Sequence, residues 1–103
     1  MYKICFYVPL SHLEHVKNAM FAKGAGKIGL YTHCAWQVLG EGQFMPIEGS
    51  KAFIGEKNQL EKLAEYKVEM VCDDAYIHDT IAALKDAHPY EEPAYQIIRC
   101  EEL

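Results

Sequence analysis

The run His88-Pro89-Tyr90-Glu91-Glu92-Pro93-Ala94-Tyr95 places an imidazole, two carboxylates and two phenols within eight residues. Imidazole, carboxylate and thiolate together suit a borderline divalent metal such as zinc or copper. The candidate metal group is therefore His12, Cys34, His88, Glu91 and Glu92. Trp36 and Tyr90 are the candidate walls of a ligand site. Gly26 and Lys27 could form a weak anion-binding nest of successive amides beside a positive charge. The same groups admit other chemistry. His88 or Glu91 could serve as general base, with Cys34 as nucleophile or metal ligand. Alternatively, Glu91 or Glu92 could meet a basic residue such as Lys27 or Arg99 and make the segment an oligomer joint. No pair has the compact H-x-x-x-H or C-x-x-C spacing of a dedicated metal site. His12 and His15 share a helical face, where solvation is the commoner outcome.

The bracket is stiff because each proline fixes its own φ and drives the preceding residue, His88 or Glu92, into extended geometry. A helix arriving from the N-terminal side must stop there. Carboxylates just past a helix C-terminus oppose the dipole, which favours cations there by roughly 0.3–1 kcal/mol at an exposed end. Glu91 and Glu92 thus predict a positive partner (a metal, a Lys or an Arg), unless they are simply solvated.

Gly24-Ala25-Gly26-Lys27-Ile28-Gly29 matches G-x-G-x-x-G literally. That fingerprint binds a dinucleotide only when it follows a strand and opens a helix. Here it follows a helix, so the glycines read as helix termination and a tight turn.

A chain of 103 residues makes one domain, residues 1–103, with room for a two-layer core. Half of its residues are hydrophobic, which excludes disorder. A net charge of −5 argues against nucleic acid or an anionic membrane as general partner. No apolar run approaches the ~20 residues of a membrane span, and no signal peptide is evident, so the expectation is a soluble cytoplasmic protein. Cys5, Cys34, Cys72 and Cys100 are widely spaced, as reduced structural thiols would be.

The elements that must position these groups follow from periodicity. Tyr2 to Val8 alternates as a strand ending at Pro9. Ser11 with Glu14 reads as a capping box opening an amphipathic helix over 11–23, and Gly24 closes it. Cys34–Leu39 and Gln43–Ile47, joined by Gly40-Glu41-Gly42, predict a hairpin with Trp36 and Phe44 packed across it. A loop follows to about Gln59, long enough to cover a pocket or reach a neighbouring subunit. Leu60 to Cys72 alternates as a long strand. Asp73 and Asp74 predict an N-cap for a second helix that ends at His88-Pro89, and Ala94 to Cys100 forms the last strand.

A shift of 64 residues lays Lys3 on Lys67, Val8 on Cys72, Leu13 on Ile77 and Met20 on Leu84. Two such strand-helix units predict an α+β, ferredoxin-like sandwich: an antiparallel four-stranded sheet with two helices on one face, plus a β-hairpin arm. Cys5, Tyr7, Val71, Tyr95 and Ile97 are expected on the other face, which is then too apolar for solvent and predicts a homo-oligomer.

The run from Tyr2 to Tyr31, Cys34-Ala35-Trp36-Gln37 with Gly40, Gly42 and Phe44, Ile54-Gly55, and HPYEEPAY together resemble the small YqfO-type proteins. These are stand-alone relatives of the PII-like domain inserted in the Nif-three-like family. The likeness covers nearly the whole chain. It implies the PII/CutA-like fold and, by analogy with those proteins, a trimer. The metal site of the Nif-three-like family belongs to flanking domains, so its activity labels carry over poorly. Three departures stand out: Leu30 where a polar residue is common, Gln96 where Asp often follows HPYEEPAY, and Ala52 in place of a frequent proline.

Together these readings point to a non-enzymatic binding or regulatory module holding a divalent metal or small ligand in clefts between subunits. The alternatives are a structural or interaction domain that meets itself or a partner protein through HPYEEPAY, and a small metal-dependent hydrolase.

Overall fold

The computed structural model describes residues 1–103. Its elements run β1 (Tyr2–Val8), α1 (Leu13–Ala22), β2 (Trp36–Phe44), β3 (Glu61–Cys72), α2 (Ile77–Ala87) and β4 (Tyr95–Arg99). The sheet is antiparallel throughout, in the order β2-β3-β1-β4. Both helices contribute to one core with the sheet: Ile4, Phe6 and Val8 of β1 and Val68, Met70 and Cys72 of β3 meet Leu13, Val16 and Met20 of α1 and Ile77, Ile81 and Leu84 of α2. This is the ferredoxin-like arrangement that the repeat predicts. The 64-residue shift even carries the short 3-10 turn Leu10–His12, which leads into α1, onto Asp74–Tyr76, which leads into α2.

Helix α1 ends where Gly24 requires it. Gly24 takes φ +110°, its amide donates to the Phe21 carbonyl at 3.0 Å, and the Ala25 amide reaches Met20 at 3.3 Å. That pair of bonds is a Schellman motif, and it seats Ala25 in the core. The N-termini differ from expectation. Ser11 turns its hydroxyl to the His12 ring at 2.8 Å, and no side chain caps α1. Asp73 caps nothing, and Asp74 binds the Met1 amino group at 2.6 Å and Arg99 at 3.3 Å. In each case the 3-10 turn satisfies the entering backbone, through His12 N–H to Pro9 and Tyr76 N–H to Asp73.

The predicted hairpin within 34–47 does not form. Residues 36–44 are one continuous strand, pairing with β3 from Trp36↔Glu69 to Phe44↔Glu61, so Trp36 and Phe44 stand at opposite ends. Neither Gly40 nor Gly42 has positive φ. The arm is instead the β2–β3 hairpin with its long 45–60 loop. Because β1 ends opposite Tyr66, residues 61–65 and 40–44 project beyond it, by roughly 16 Å at the usual strand rise. The molecule is accordingly 46 Å long and 25 Å across.

The face assignment of β4 is also corrected. Tyr95 pairs with Phe6 and Ile97 with Ile4, which puts both on the helix side, while Gln96 and Ile98 pair with Cys5 and Lys3 on the open side. A shift of one residue exchanges the two faces of a strand. The open face carries Trp36, Val38, Val71 and Ile98 together with a 2.7 Å Lys3–Glu69 ion pair. It is mixed, not uniformly apolar.

Candidate functional site

The bracket after α2 folds against the C-terminal end of β1 because His88 anchors it there. His88 is extended (φ −70°, ψ 138°) and only 6% exposed. Its Nδ1 accepts the Tyr90 amide at 3.1 Å, which requires the ring proton on Nε2, and Nε2–H then donates to the Tyr7 carbonyl at 2.7 Å. Both nitrogens are engaged and the ring is neutral. Burial pushes its pKa down, partly opposed by the bond to Tyr7. His88 is therefore a latch, with no lone pair left for a metal.

Tyr90 next reaches the arm. Its hydroxyl donates to Glu65 at 2.8 Å, and its ring lies 6.0 Å from Phe44 and 6.4 Å from Phe53. Burial, reinforced by the adjacent carboxylate, raises the phenol well above its ordinary pKa, so it stays a donor. Glu91 completes the attachment by accepting the Lys51 amide at 2.9 Å. The positive partner expected for this carboxylate is thus a backbone N–H of the loop. Glu92 stays exposed, without a bonded partner in the chain.

Between the arm and the bracket lies a cavity of about 500 Å³. The apolar part of its wall comes from Tyr7, Phe44, Met45, Pro46, Ile47, Ala52, Phe53 and Ile54, and its polar part from Glu41, Gln43, Ser50, Glu65, Tyr90, Glu91 and Glu92. A concave, largely apolar site with a few convergent polar groups is the usual form of a small-molecule pocket.

The remaining candidates are divided between two ends of the molecule. His12 lies near the cleft, edge-on to Phe53 at 5.6 Å and to His15 at 6.5 Å. Cys34 and Trp36 line a separate surface hollow with Lys3, Ile28 and Val71. Lys3 and Tyr7 are four residues apart on β1, roughly 13 Å, so Cys34 meets neither His88 nor Glu91 within the chain. Trp36 and Tyr90 do not share a wall. Gly26 spends its amide on the Val71 carbonyl at 2.8 Å, and Lys27 sits 5.8 Å over the Tyr76 ring, so the expected anion nest is not formed. Arg99 binds Asp74 and the Tyr2 hydroxyl, away from Glu91 and Glu92. No three His, Cys, Asp or Glu side chains converge to hold a metal ion.

Sequence reasoning missed Glu65 and the aromatic pair Phe44 and Phe53. The available signal was Gly42: a Cβ there would overlap the Glu65 carboxylate, so the glycine leaves the path by which Glu65 approaches Tyr90.

No protein-family model matches the chain. It is 45% identical over 95 residues to a Mycobacterium leprae protein called "GTP cyclohydrolase 1 type 2 homolog", covering 92% of this chain and 25% of that one. Among solved structures, a Bacillus cereus protein related to NIF3 superposes with TM-score 0.84 at 36% identity, over 98% of this chain and 26% of that one. The divalent cation tolerance protein CutA of Archaeoglobus fulgidus matches with TM-score 0.70 at 18% identity, over 99% of this chain and 86% of that one. The chain thus spans about a quarter of the length of the curated relatives it matches, and most of the CutA chain. It is similar in sequence to one segment of these GTP cyclohydrolase 1 type 2 homologs and of a NIF3-related protein, and it has the CutA/PII-like fold.

Proposed function

We propose that this chain is a non-enzymatic binding or regulatory module whose ligand sits in the cleft between the β2–β3 arm and the HPYEEPAY bracket. The observation that carries the reading is the bonding of the bracket. His88, Tyr90 and Glu91 each make a hydrogen bond that ties the bracket to the body or the arm and so defines the cleft's shape, while Glu92 lines it without a bonded partner. A site whose walls are held by the protein itself needs little reorganisation to bind.

We also propose that the module works as a homo-oligomer, with a trimer favoured by the fold. Strand β2 is a nine-residue edge strand, exposed along most of its length, and an unpaired edge of this kind is a template for another chain. Since Glu41 to Phe44 belong both to that edge and to the cleft wall, a second copy added there would border the ligand. A divalent metal would need such a copy to complete its ligands. Cytoplasmic location remains part of the proposal; no helix of the structure is long and apolar enough to cross a membrane.

Native mass spectrometry on protein purified without a metal-chelating tag tests the proposal. The expected spectrum is an oligomer with a stoichiometric adduct that disappears in Glu92→Gln. A bare monomer that gains nothing from added metals or small molecules would overturn it.

A further inference from the structure

From the chemistry of the cleft wall, and resting on the binding reading above, we infer that the ligand is a small organic cation, an ammonium group carried on an apolar body. Three glutamates, Glu65, Glu91 and Glu92, line the cavity from the face that carries Phe44 and from the bracket, and no Lys, Arg or His does. Lys51, whose amide holds Glu91, is exposed and is not part of the lining. The floor is aromatic. Phe44 and Phe53 flank Tyr90, Tyr7 also lines the cavity, and aromatic faces attract a cation within about 6 Å of the ring centre. Rings for the apolar body and carboxylates for the charge are the two halves of ammonium recognition.

The alternatives fit less well. A nucleotide would bring several negative charges into a wall that has no cation to receive them. A bare metal ion would leave most of a cavity of about 500 Å³ unfilled, and the carboxylates do not converge with His or Cys into a metal-binding group.

The test varies charge on one body: 2-phenylethylammonium, 2-phenylethanol and phenylacetate, each titrated into the full chain while the Phe53 and Tyr90 ring signals are followed by NMR. The expected order of affinity is cation, then neutral, then anion, with at least tenfold between the first and last at low salt and a smaller gap at high salt. Glu92→Gln, which breaks no hydrogen bond in the structure, should weaken the cation severalfold and leave the alcohol unchanged. Equal or anion-first binding at these rings overturns the inference while the binding module stands. Failure of all three probes to shift the ring signals overturns both.

Discussion

The Tyr90 hydroxyl donates a 2.8 Å hydrogen bond to Glu65, joining the segment after α2 to the projecting half of β3. With the Glu91 bond to the Lys51 amide it fixes the arm's angle to the body. A hydrogen bond to a charged group contributes about 1.5–3 kcal/mol, and less where water competes. Tyr90→Phe should therefore destabilise the protein by about 1 kcal/mol in urea denaturation, and hydrogen exchange should quicken in 40–44 and 61–65 before the core. Unchanged exchange in the arm would show that the bond does not restrain it.

Gly42 and Glu65 make a second, coupled test. An alanine Cβ at Gly42 would displace the Glu65 carboxylate, the free end of a flexible side chain, and so break its bond to Tyr90. Replacing a strand glycine by alanine gains roughly 0.5–1 kcal/mol in chain entropy, which offsets that loss. Gly42→Ala alone should lie within about 0.5 kcal/mol of the parent. Combined with Tyr90→Phe it should depart from additivity by about 0.5–1 kcal/mol, the signature of one shared contact.

Gly26 and Gly29 separate backbone strain from crowding. Both have positive φ, +79° and +57°, but a Cβ on Gly26 would lie 2.7 Å from the Phe21 ring and 3.0 Å from the Cys34 carbonyl, whereas one on Gly29 meets nothing within 4 Å. A left-handed non-glycine residue costs about 1–2 kcal/mol, and overpacking adds about 1–3. Thermal and urea unfolding should show Gly29→Ala losing about 1 kcal/mol and Gly26→Ala about 2–4. Equal losses would rule out the crowding at Gly26.

His88 makes stability depend on pH with a definite sign. Its folded pKa is lowered by burial, so below the unfolded value of about 6.5 the unfolded chain binds a proton that the folded chain refuses. Its contribution is complete above pH 6.5 and is lost as pH falls from there through the folded pKa. Denaturation midpoints should decline as pH falls below about 6.5 in the parent and stay flatter in His88→Gln. Parallel curves would remove His88 as the titrating latch. His88→Ala strands the Tyr7 carbonyl and Tyr90 amide, at a cost of about 2–3 kcal/mol.

What the sequence determined by itself was the type and order of every element except β2, since these depend on neighbours along the chain. Alternation in 2–8 and 64–72, the apolar stripes of both helices, Gly24 and His88-Pro89 mark β1, β3, α1, α2 and their ends, and the 64-residue echo implies the ferredoxin-like sandwich. The tertiary structure alone decided what depends on distant partners. Gly40 and Gly42 read as a turn because a glycine that leaves room for a side chain looks the same as one that permits positive φ; the difference lies in Glu65, more than twenty residues on. The face of Tyr95 and Ile97 was set by a one-residue choice of register against β1, invisible within β4 itself. The cleft draws on residues 7, 41–47, 50, 52–54, 65, 90–92 and 94, which only the projecting β2–β3 ribbon and the His88 latch bring together. Local periodicity reports which side chains share a face, but a site is a meeting of faces, and packing alone chooses which ones meet.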